Sequence, residues 1–339
     1  MENISIIIPC RNEEKYIERC LTSFIEIDYP KDLLEIILVD GRSEDRTLEI
    51  VKNFQLRYPM IKIIDNPNLF APHAFNIGIK NATSEYIMIA SAHSAFEKNY
   101  ISEVLKALKT LNCDGAGGVL KTDVKNKTEK TLSICKVLSH QFGVGNSKFR
   151  VGTSKPISVD IVPFGIYKKS IFESVGYYNE RLKRNQDMEL SKRMIEKGNK
   201  IFLIPTAKSI YFARETYKDL ALNNFGNGFW IMPTVYITRK ISSLSLRHFI
   251  PMIFLLSVIL PLIFMPVLPM IGLISFLSFT IYTILLSIIS FKINDKTTSF
   301  INIFLAFLVL HLSYGVGSLT GITRLDYLQK QIFDEQNQI

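Results

Sequence analysis

The sequence predicts an α/β fold with a parallel sheet, followed by helices that cross a membrane. From residue 4 to residue 120, short apolar runs typical of buried strands alternate with segments whose apolar residues recur at helical spacing. Such alternation predicts a parallel sheet covered by helices on both faces. Residues 249–291 and 300–323 contain no charged residue, whereas residues 1–241 carry charges throughout. The chain is therefore predicted to be a globular body with a membrane tail.

The predicted elements follow one another closely in the body. The first strand is expected at 4–8, where four isoleucines precede Pro9, and Pro9 is expected to end it. Asn12 is expected to cap the next helix. One face of that helix carries Ile17, Leu21 and Phe24. The later predictions are a strand at 35–39, a helix after 45, a strand at 61–64, a helix at 74–80, a strand at 86–90, a helix at 100–111, a strand beginning near 116, an extended segment at 159–167 and a helix at 187–197.

The apolar region is long enough for several crossings. A helix needs about 20 apolar residues to span the hydrocarbon core, so 249–291 suits two crossings with a turn at Pro266 and Pro269. A third crossing is predicted at 300–319. The stretch from Gly317 to Gly321 is expected to be a small-residue packing face, and His311 is expected to bond a neighbouring helix as a neutral imidazole.

Charges near the apolar segments predict the orientation. The first residues lack the features of a signal peptide, so the body is expected in the cytoplasm. Basic residues before the first span and after the second agree with that orientation, namely Arg239, Lys240, Arg247, Lys292 and Lys296. Arg324 and Lys330, after the third span, disagree. Two alternatives follow: an external C-terminus, or one apolar segment that lies in the interface.

Composition narrows the class of partner. The formal net charge is +9, but no arginine-rich stripe interleaved with aromatic residues occurs, so nucleic acid is not an expected partner. A basic body that rests on anionic membrane lipid, near anionic substrates, explains the charge. The four cysteines lack metal-ligand spacing and are expected to be reduced core residues.

Asp40 ends an apolar run and is followed by Gly41. In doubly wound sheets ligands bind beyond the carboxyl ends of the strands, so this carboxylate is placed to meet a nucleobase or a ribose. Asp40 with Gly41, Ser43 and Asp45 would also make an ordinary turn and helix cap. From this segment alone both interpretations stay open.

Further motifs follow in a fixed order along the body. They are Ile8-Pro-Cys-Arg-Asn-Glu13, Val39-Asp-Gly-Arg-Ser-Glu-Asp-Arg-Thr47, Asn76-Ile-Gly78, Ser91-Ala-His93, Phe164-Gly165, Gly176-Tyr-Tyr-Asn-Glu-Arg181, Asn185-Gln-Asp-Met-Glu-Leu190 and Tyr211-Phe-Ala-Arg-Glu-Thr216. In this order they resemble the family 2 glycosyltransferases with a GT-A fold, and within that family the membrane-attached enzymes of the succinoglycan type.

The resemblance implies a nucleotide-sugar donor. It assigns Asp40 to the base, and Pro9, Arg11 and Glu13 to the surroundings of base and ribose. A carboxylate can accept from a ring N–H such as that of uracil, which agrees with this role. Ser91 and Ala92 are likewise assigned to the nucleotide, whereas Asp45 is expected to cap a helix.

The resemblance also implies a divalent metal. The family carries Asp-x-Asp or Asp-Ala-His at the position where this chain has Ser91-Ala92-His93. His93 is the expected ligand, and an imidazole suits Mn²⁺ better than Mg²⁺. Ser91 is a poor cation ligand in place of the usual aspartate, so weakened metal binding and reduced activity are expected. The alternative for His93 is a surface hydrogen-bonding residue.

Asp187 is the expected catalytic base, because it occupies the family's base position. A helix N-terminus there favours the ionised carboxylate, although the same position would also suit a plain N-cap. Gly165, Gln186 and Arg214 are assigned to the acceptor or the diphosphate. Related enzymes carry a Gln-x-x-Arg-Trp segment near residue 230, but this chain has no arginine there, and Trp230 is expected to anchor an interfacial helix.

These assignments predict an inverting glycosyltransferase that transfers a sugar from a UDP-sugar or similar donor to a lipid-linked or growing polysaccharide acceptor. The alternative is a catalytically silent nucleotide-sugar-binding subunit that partners another glycosyltransferase. An oxidoreductase is disfavoured because no Gly-x-Gly-x-x-Gly follows the first strand. Other polysaccharide-assembly proteins are candidate partners.

The chain is predicted to have four regions. They are a GT-A domain at 1–230, an interfacial helix or linker at 231–248, a transmembrane region of about three helices at 249–323 and a polar tail at 324–339. The protein is expected in the cytoplasmic membrane, with its catalytic domain in the cytoplasm.

Overall fold

The computed structural model describes residues 1–328, so Lys330 and most of the predicted polar tail lie outside the described residues. The strands within these residues are β1 (Ile4–Cys10), β2 (Leu34–Asp40), β3 (Ile61–Asp65), β4 (Tyr86–Ile89), β5 (Ser94–Phe96), β6 (Gly115–Asp123), β7 (Ile157–Ser158), β8 (Ile166–Lys168) and β9 (Ile201–Phe212). The helices are α1 (Ile17–Ile25), α2 (Thr47–Arg57), α3 (Ala71–Asn81), α4 (Tyr100–Thr110), α5 (Glu129–Leu138), α6 (Gln141–Val144), α7 (Lys148–Val151), α8 (Lys169–Val175), α9 (Gln186–Glu196), α10 (Tyr217–Phe229), α11 (Ile231–Thr238), α12 (Ile250–Phe264), α13 (Gly272–Ile293) and α14 (Phe300–Ile322).

Contacts divide the chain into two compact units. The first unit comprises residues 1–122 and 147–212 and holds the sheet with α1–α4 and α7–α9. The second comprises residues 123–146 and the chain from 213 onward and holds α5, α6 and α10–α14. This division by contacts does not show which residues carry out catalysis or cross a membrane. The predicted region boundaries at 230, 248 and 323 therefore stay predictions.

The sheet is mixed, with strand order β3-β2-β1-β4-β8-β6-β9-β5, and β7 also pairs with β9. The first four strands are parallel, as predicted. Beyond them the prediction of a parallel sheet is wrong, because β8 runs antiparallel to both β4 and β6, and β5 runs antiparallel to β9. The α/β class and the helices around the first four strands are confirmed.

The first strand extends beyond its predicted end. Pro9 lies inside β1, opposite Val39 of β2. The Cys10 carbonyl accepts the Gly41 N–H at 2.8 Å, so pairing between the two segments continues past the proline. Pro9 lacks an N–H group but leaves its neighbours' groups available, which is why the strand does not stop there.

Alternate residues of β1 enter two apolar clusters. Ile6 and Ile8 belong to a cluster that includes the predicted inner face of α1, and Ile7 belongs to one that includes α3, α8 and α9. Gly78 lets α3 approach β1 closely, because a Cβ atom there would lie 2.3 Å from Ile7 Cγ2. The helices α3, α8 and α9 therefore pack on the face of the sheet to which Ile7 points.

Several elements departed from expectation. Asn12 does not cap α1, whose N-cap residue is Tyr16 without a side-chain cap bond. Of the predicted extended segment at 159–167, only residues 166 and 167 belong to a strand, β8. The helices α5, α6 and α7 lie in a stretch for which no element was predicted. The twelve-residue strand β9 was not predicted; Pro205 interrupts its alternation in the sequence.

The second unit contains three segments long and apolar enough to cross a membrane: Leu246–Phe264, Pro269–Ile293 and Phe300–Ile322. The predicted small-residue face of the last segment is confirmed. Cβ atoms on Gly317 and Gly321 would lie 2.1 Å and 2.3 Å from the carbonyl oxygens of Phe225 and Phe229 in α10. His311 forms the predicted helix contact, with Nδ1 3.1 Å from the Tyr282 hydroxyl and Nε2 2.8 Å from the Phe142 carbonyl.

Candidate active site

Two loops interlock at the carboxyl ends of β1 and β2. The Asn12 N–H donates to Ser43 Oγ at 3.0 Å, and the Glu44 N–H donates to Asn12 Oδ1 at 2.8 Å. The Glu13 N–H donates to Thr47 Oγ1 at 2.7 Å. Asn12 and Arg42 adopt positive φ angles of 55° and 57°, a left-handed conformation that few non-glycine residues adopt. Asn12 is therefore used to join the loops instead of capping α1.

Asp40 lies at the end of β2 with only 3% of its surface exposed. Its Oδ1 accepts from the Ser43 hydroxyl at 2.6 Å and from the Cys10 thiol at 3.6 Å, and its Oδ2 accepts from the Ser43 N–H at 3.0 Å. The turn interpretation of Asp40 is thus correct. Because each carboxylate oxygen can accept more than one hydrogen bond, a further donor can still be accommodated, and contact with a base stays a prediction.

The surroundings of Asp40 are tightly built. A Cβ atom on Gly41 would lie 2.8 Å from the Leu69 carbonyl oxygen and 3.3 Å from Arg11 Cβ, so the loop after β2 needs a glycine there. The Arg11 side chain itself is exposed. The predicted capping role of Asp45 is wrong in position, because the N-cap residue of α2 is Arg46, which has no side-chain cap bond. Asp45 lies one residue earlier and accepts from the Thr47 N–H at 3.0 Å, which supports the loop before the helix.

Glu13, Ser91 and His93 come together where β1 and β4 end. His93 Nδ1 lies 3.3 Å from Glu13 Oε1, and the Ser91 hydroxyl lies 3.2 Å from His93 Nε2. The Ser91 carbonyl accepts from the Ser94 N–H at 3.1 Å, which forms the turn that presents His93. Ala92, between the two, is buried. Glu13, Ser91 and His93 therefore form one polar cluster, although Glu13 lies 80 positions before His93.

Within residues 1–328, no group of three or more His, Cys, Asp or Glu side chains is arranged to hold a metal ion. His93 and Glu13 nevertheless form a pair of nitrogen and oxygen donors, and both side chains are partly open to solvent. Such a pair fits a site in which a diphosphate provides the remaining oxygen ligands. The residues present thus fit a metal that binds together with a donor, rather than one held by the protein alone.

Gly165 lies beside the end of β4. Its carbonyl accepts the Ile89 N–H at 3.0 Å, two residues before Ser91. A Cβ atom on Gly165 would lie 2.6 Å from the Tyr167 ring, so a side chain there would displace the tyrosine. Phe164 has a positive φ of 48°. The hydrogen bond from Ile89 therefore places Gly165 at the same edge of the sheet as Ser91.

Asp187 lies in the first turn of α9, directly after Asn185 with its positive φ of 63° and Gln186. Its side chain is accessible to solvent. The protein around it nonetheless desolvates the charged form, which raises the pKa of the carboxyl, while the hydrogen bond from the Met188 N–H at 2.9 Å opposes this shift. The helix start thus provides the predicted N–H contact, but desolvation outweighs it.

Gln186 is notable for an unpaired acceptor. Its Oε1 atom is buried and has no hydrogen-bond partner among the described residues. Buried acceptors normally have a partner, and exceptions are often found where a ligand binds. The position of this atom, one residue before Asp187, agrees with the predicted contact of Gln186 with an acceptor or diphosphate group.

Hydrogen bonds from Asn76 and Arg193 hold the segment that leads into α9. Asn76 Nδ2 donates to the Tyr178 carbonyl at 2.9 Å and to Glu180 Oε1 at 2.8 Å, and Asn76 Oδ1 accepts the Tyr178 N–H. Arg193 donates to the Val175 and Gly176 carbonyls at 2.6 Å and 2.8 Å. Neither positioning residue was predicted. The motif from Asn76 to Gly78 was the available signal for the first.

Arg214 and Trp230 belong to the second unit. The assignment of Arg214 to the diphosphate therefore stays a prediction. Trp230 is 8% exposed, and its ring packs edge-on against Tyr327 at 5.4 Å. Trp230 is thus buried against protein, whereas the expected anchoring role would expose its ring to lipid.

Comparison with known proteins agrees with the fold and the motifs. The family model for Glycosyl transferase family 2 matches residues 5–176. A protein of Methanococcus voltae, named dolichyl N-acetyl-alpha-D-glucosaminyl phosphate 3-beta-D-2,3-diacetamido-2,3-dideoxy-beta-D-glucuronosyltransferase, is 32% identical over 67% of this chain and 72% of its own length. Succinoglycan biosynthesis protein ExoA of Rhizobium meliloti is 24% identical over 66% of this chain and 67% of its own length.

A solved structure resembles nearly the whole chain. Mannosyltransferase PcManGT from Pyrobaculum calidifontis, solved with GDP-Man and Mn²⁺, superposes with a TM-score of 0.59 over 95% of this chain and 87% of its own, at 13% identity. This similarity concerns the fold alone. The GT-A fold and the resemblance predicted from the motifs are thereby confirmed, and the chain belongs to glycosyl transferase family 2.

Proposed function

We propose that this glycosyltransferase inverts the configuration at the sugar and transfers it from a UDP-sugar or similar donor to a lipid-linked or growing polysaccharide acceptor. The observation that carries the proposal is the polar cluster of Glu13, Ser91 and His93, at the edge of the sheet where Asp40 and Gly165 also lie. Ligands of open α/β sheets bind at this edge. The cluster is therefore the proposed position of the donor diphosphate.

The proposed reaction has one bond formed and one broken. The acceptor oxygen bonds to the anomeric carbon from the face opposite the donor phosphate, and the bond from that carbon to the phosphate oxygen breaks. The electron pair leaves with the nucleoside diphosphate, and the acceptor hydroxyl proton passes to the Asp187 carboxylate. The unpaired Gln186 Oε1 would accept a hydrogen bond from a hydroxyl beside the base. Pro9, Arg11 and Ala92 are proposed to contact the nucleotide, and Arg214 the diphosphate or acceptor.

A divalent cation, Mn²⁺ or Mg²⁺, would be held by His93 and Glu13. Such a cation neutralises negative charge on a departing diphosphate. In this chain Ser91 contributes a hydroxyl to the cluster at the position where the family resemblance implies an aspartate. The protein therefore provides one negative charge fewer at this point, and weaker metal binding is expected.

The apolar second unit supports an acceptor that is confined to a membrane. Three of its helices are long and apolar enough to cross one. The Methanococcus voltae relative is named for a dolichyl phosphate-linked sugar, which is a lipid-linked acceptor. We infer a multi-pass protein of the cytoplasmic membrane whose first unit lies in the cytoplasm, in contact with membrane lipid and with other polysaccharide-assembly proteins.

The test is donor turnover by the purified chain in detergent, with UDP-sugars and GDP-mannose, Mn²⁺ and a lipid-linked sugar that carries free hydroxyl groups as the acceptor. Release of nucleoside diphosphate should fall about 10²-fold to 10⁴-fold in Asp187→Asn, the range that general-base catalysis contributes. Glu49→Gln, which removes an exposed carboxylate from α2, should retain full turnover. Equal release by Asp187→Asn and the unmodified protein would contradict the proposed base.

The absence of a carboxylate at Ser91 favours one alternative, a silent subunit that binds a nucleotide sugar and recruits another glycosyltransferase. Binding of a UDP-sugar without turnover, by the unmodified protein with each metal and acceptor, would identify this alternative. Turnover that depends on Asp187 would exclude it.

A further inference from the structure

We propose that Arg150 is a binding residue for the donor diphosphate, with its guanidinium contributing positive charge beside the cluster of Glu13, Ser91 and His93. The inference rests on the proposed function, because it requires a nucleoside diphosphate at that cluster. Arg150 lies in α7, within the same compact unit as the cluster, and no motif pointed to it.

Arg150 has an unused donor. Its Nη1 atom is buried and has no hydrogen-bond partner among residues 1–328. No carboxylate within these residues lies at ion-pair distance from it. Burial lowers the pKa of the guanidinium, and the contact with the Tyr211 side chain opposes this shift. A buried guanidinium nitrogen without a hydrogen-bond partner is costly, so an anion that accepts a hydrogen bond from it would be favoured.

Tyr211 connects this guanidinium with the cluster. The guanidinium carbon of Arg150 lies 4.9 Å from the centre of the Tyr211 ring. The same ring meets the His93 ring edge-on, with 6.2 Å between the ring centres. Tyr211 in β9 is paired with Ser94 of β5, the residue directly after His93. Strand pairing therefore fixes Tyr211 beside His93, and stacking fixes Arg150 on Tyr211.

The charges explain why an arginine would be useful at this point. A nucleoside diphosphate gains negative charge as the bond to the sugar breaks, and fixed donors aimed at that charge stabilise the transition state. Ser91 provides no carboxylate to help hold a cation. An arginine is permanently charged and can donate two parallel hydrogen bonds to phosphate oxygens. Arg150 would thus supply part of the positive charge that the weakened metal site does not.

The experiment compares ligands that differ by one phosphate. Calorimetry on the full-length protein in detergent first identifies which of UDP, GDP, CDP and dTDP binds the unmodified chain most tightly. The dissociation constants of that diphosphate and of its monophosphate are then measured for Arg150→Gln and Arg150→Lys. Arg150→Gln should weaken the diphosphate about 10-fold to 100-fold, as expected for lost hydrogen bonds between charged groups, and should change the monophosphate much less.

The controls separate a binding role from a structural one. Arg57 also stacks on an aromatic ring, with its guanidinium carbon 5.0 Å from the centre of Phe54, and lies on α2. Arg57→Gln should leave both dissociation constants unchanged. Arg150→Lys, which keeps the charge, should recover part of the preference for the diphosphate and shows the effect even if Arg150→Gln fails to fold.

Each result has a distinct meaning. An unchanged ratio of the two dissociation constants in Arg150→Gln, whether or not thermal stability falls, would overturn the inference and assign Arg150 to packing alone. If Arg150→Gln does not fold, an unchanged ratio in Arg150→Lys has the same meaning. If no nucleoside diphosphate binds the unmodified protein, the proposed function fails, and the inference fails with it.

Discussion

The carboxyl of Asp187 is subject to two opposing effects. The protein around it disfavours the charge, and the Met188 N–H favours it. The first effect is larger, so the pKa of Asp187 lies above its ordinary value. A carboxyl with a raised pKa takes up its proton at a higher pH than a free aspartate does. Since only the ionised form can accept the acceptor's proton, the base is fully available above the raised pKa and is lost as the pH falls through it.

We therefore expect kcat/KM to decrease toward acid, with its midpoint above the value of about 3.9 that is ordinary for aspartate. The measurement is a pH profile of kcat/KM, with thermal unfolding recorded at each pH to exclude acid denaturation. The acid limb should move in Asp187→Glu and stay in place in Glu49→Gln. A midpoint at or below the ordinary value would contradict the structural environment described for Asp187.

At the scale of elements, the site depends on how closely α3 packs on β1. The Cβ of an alanine at position 78 would lie 2.3 Å from Ile7 Cγ2, a separation that side chains do not tolerate without a shift. Because Asn76 of α3 also holds Tyr178 and Glu180, a shift of this helix would move the segment that leads to Asp187. Packing of one helix is thus coupled to the position of the predicted base.

Gly78→Ala should destabilise the first unit by about 1–3 kcal/mol, the range for overpacked cores. In a helix that is not crowded, the same substitution would stabilise by about 0.5–1 kcal/mol, so the sign of the change is decisive. Denaturant unfolding of the detergent-solubilised chain provides the measurement. The double variant Ile7→Ala, Gly78→Ala should be less unstable than the sum of its single variants, because the smaller residue makes room for the added methyl group. Additive effects would show that the two positions are not in contact.

At the scale of the whole molecule, the packing of α14 favours one of the two predicted topologies, in which the C-terminus is external or one apolar segment lies in the interface. Tyr217, at the start of α10, donates to Asn302 Oδ1 at 2.8 Å, and Phe229, at its end, lies against Gly321. Polar helix α10 therefore accompanies α14 along most of its length. α14 is also more enclosed by protein than the two preceding apolar helices. If α14 crossed the membrane, α10 would enter the hydrocarbon core with it, and this would be costly because α10 carries polar and charged side chains.

We therefore expect α12 and α13 to cross the membrane and α14 to remain at the interface, which leaves the C-terminus in the cytoplasm. Fluorescent protein fused after residue 339 should fluoresce, and alkaline phosphatase fused there should be inactive. The same fusions after residue 267, between α12 and α13, should give the opposite pair of results. Active alkaline phosphatase at the C-terminus would instead establish the three-crossing arrangement. The loop at 294–299 should be cytoplasmic in either case.

Features that depend on residues close together in the chain were predicted from the sequence, whereas features that depend on contacts between distant residues were not. Periodicity within a few residues was sufficient for β1–β4, for the inner face of α1 and for the apolar helices, because strands and helices repeat locally. Asp40 was identified because it ends an apolar run, whereas Glu13, Ser91 and His93 were identified through the family resemblance. The contact of His93 with Glu13 and Ser91 was established by the structure alone.

Only the tertiary structure decided the features that join distant positions. Three such features leave no periodic pattern in the sequence. They are the antiparallel pairing of β8 with β4 and of β9 with β5, the hydrogen bonds between Asn76 and Tyr178 over 102 residues, and the approach of Arg150 to Tyr211. Likewise, the pKa of Asp187 depends on the atoms that surround it in space, and the helix start alone predicted the smaller of the two effects. The amino-acid sequence alone thus determined the family, the α/β class and the apolar tail, whereas packing between distant segments decided which side chains meet and in what electrostatic environment.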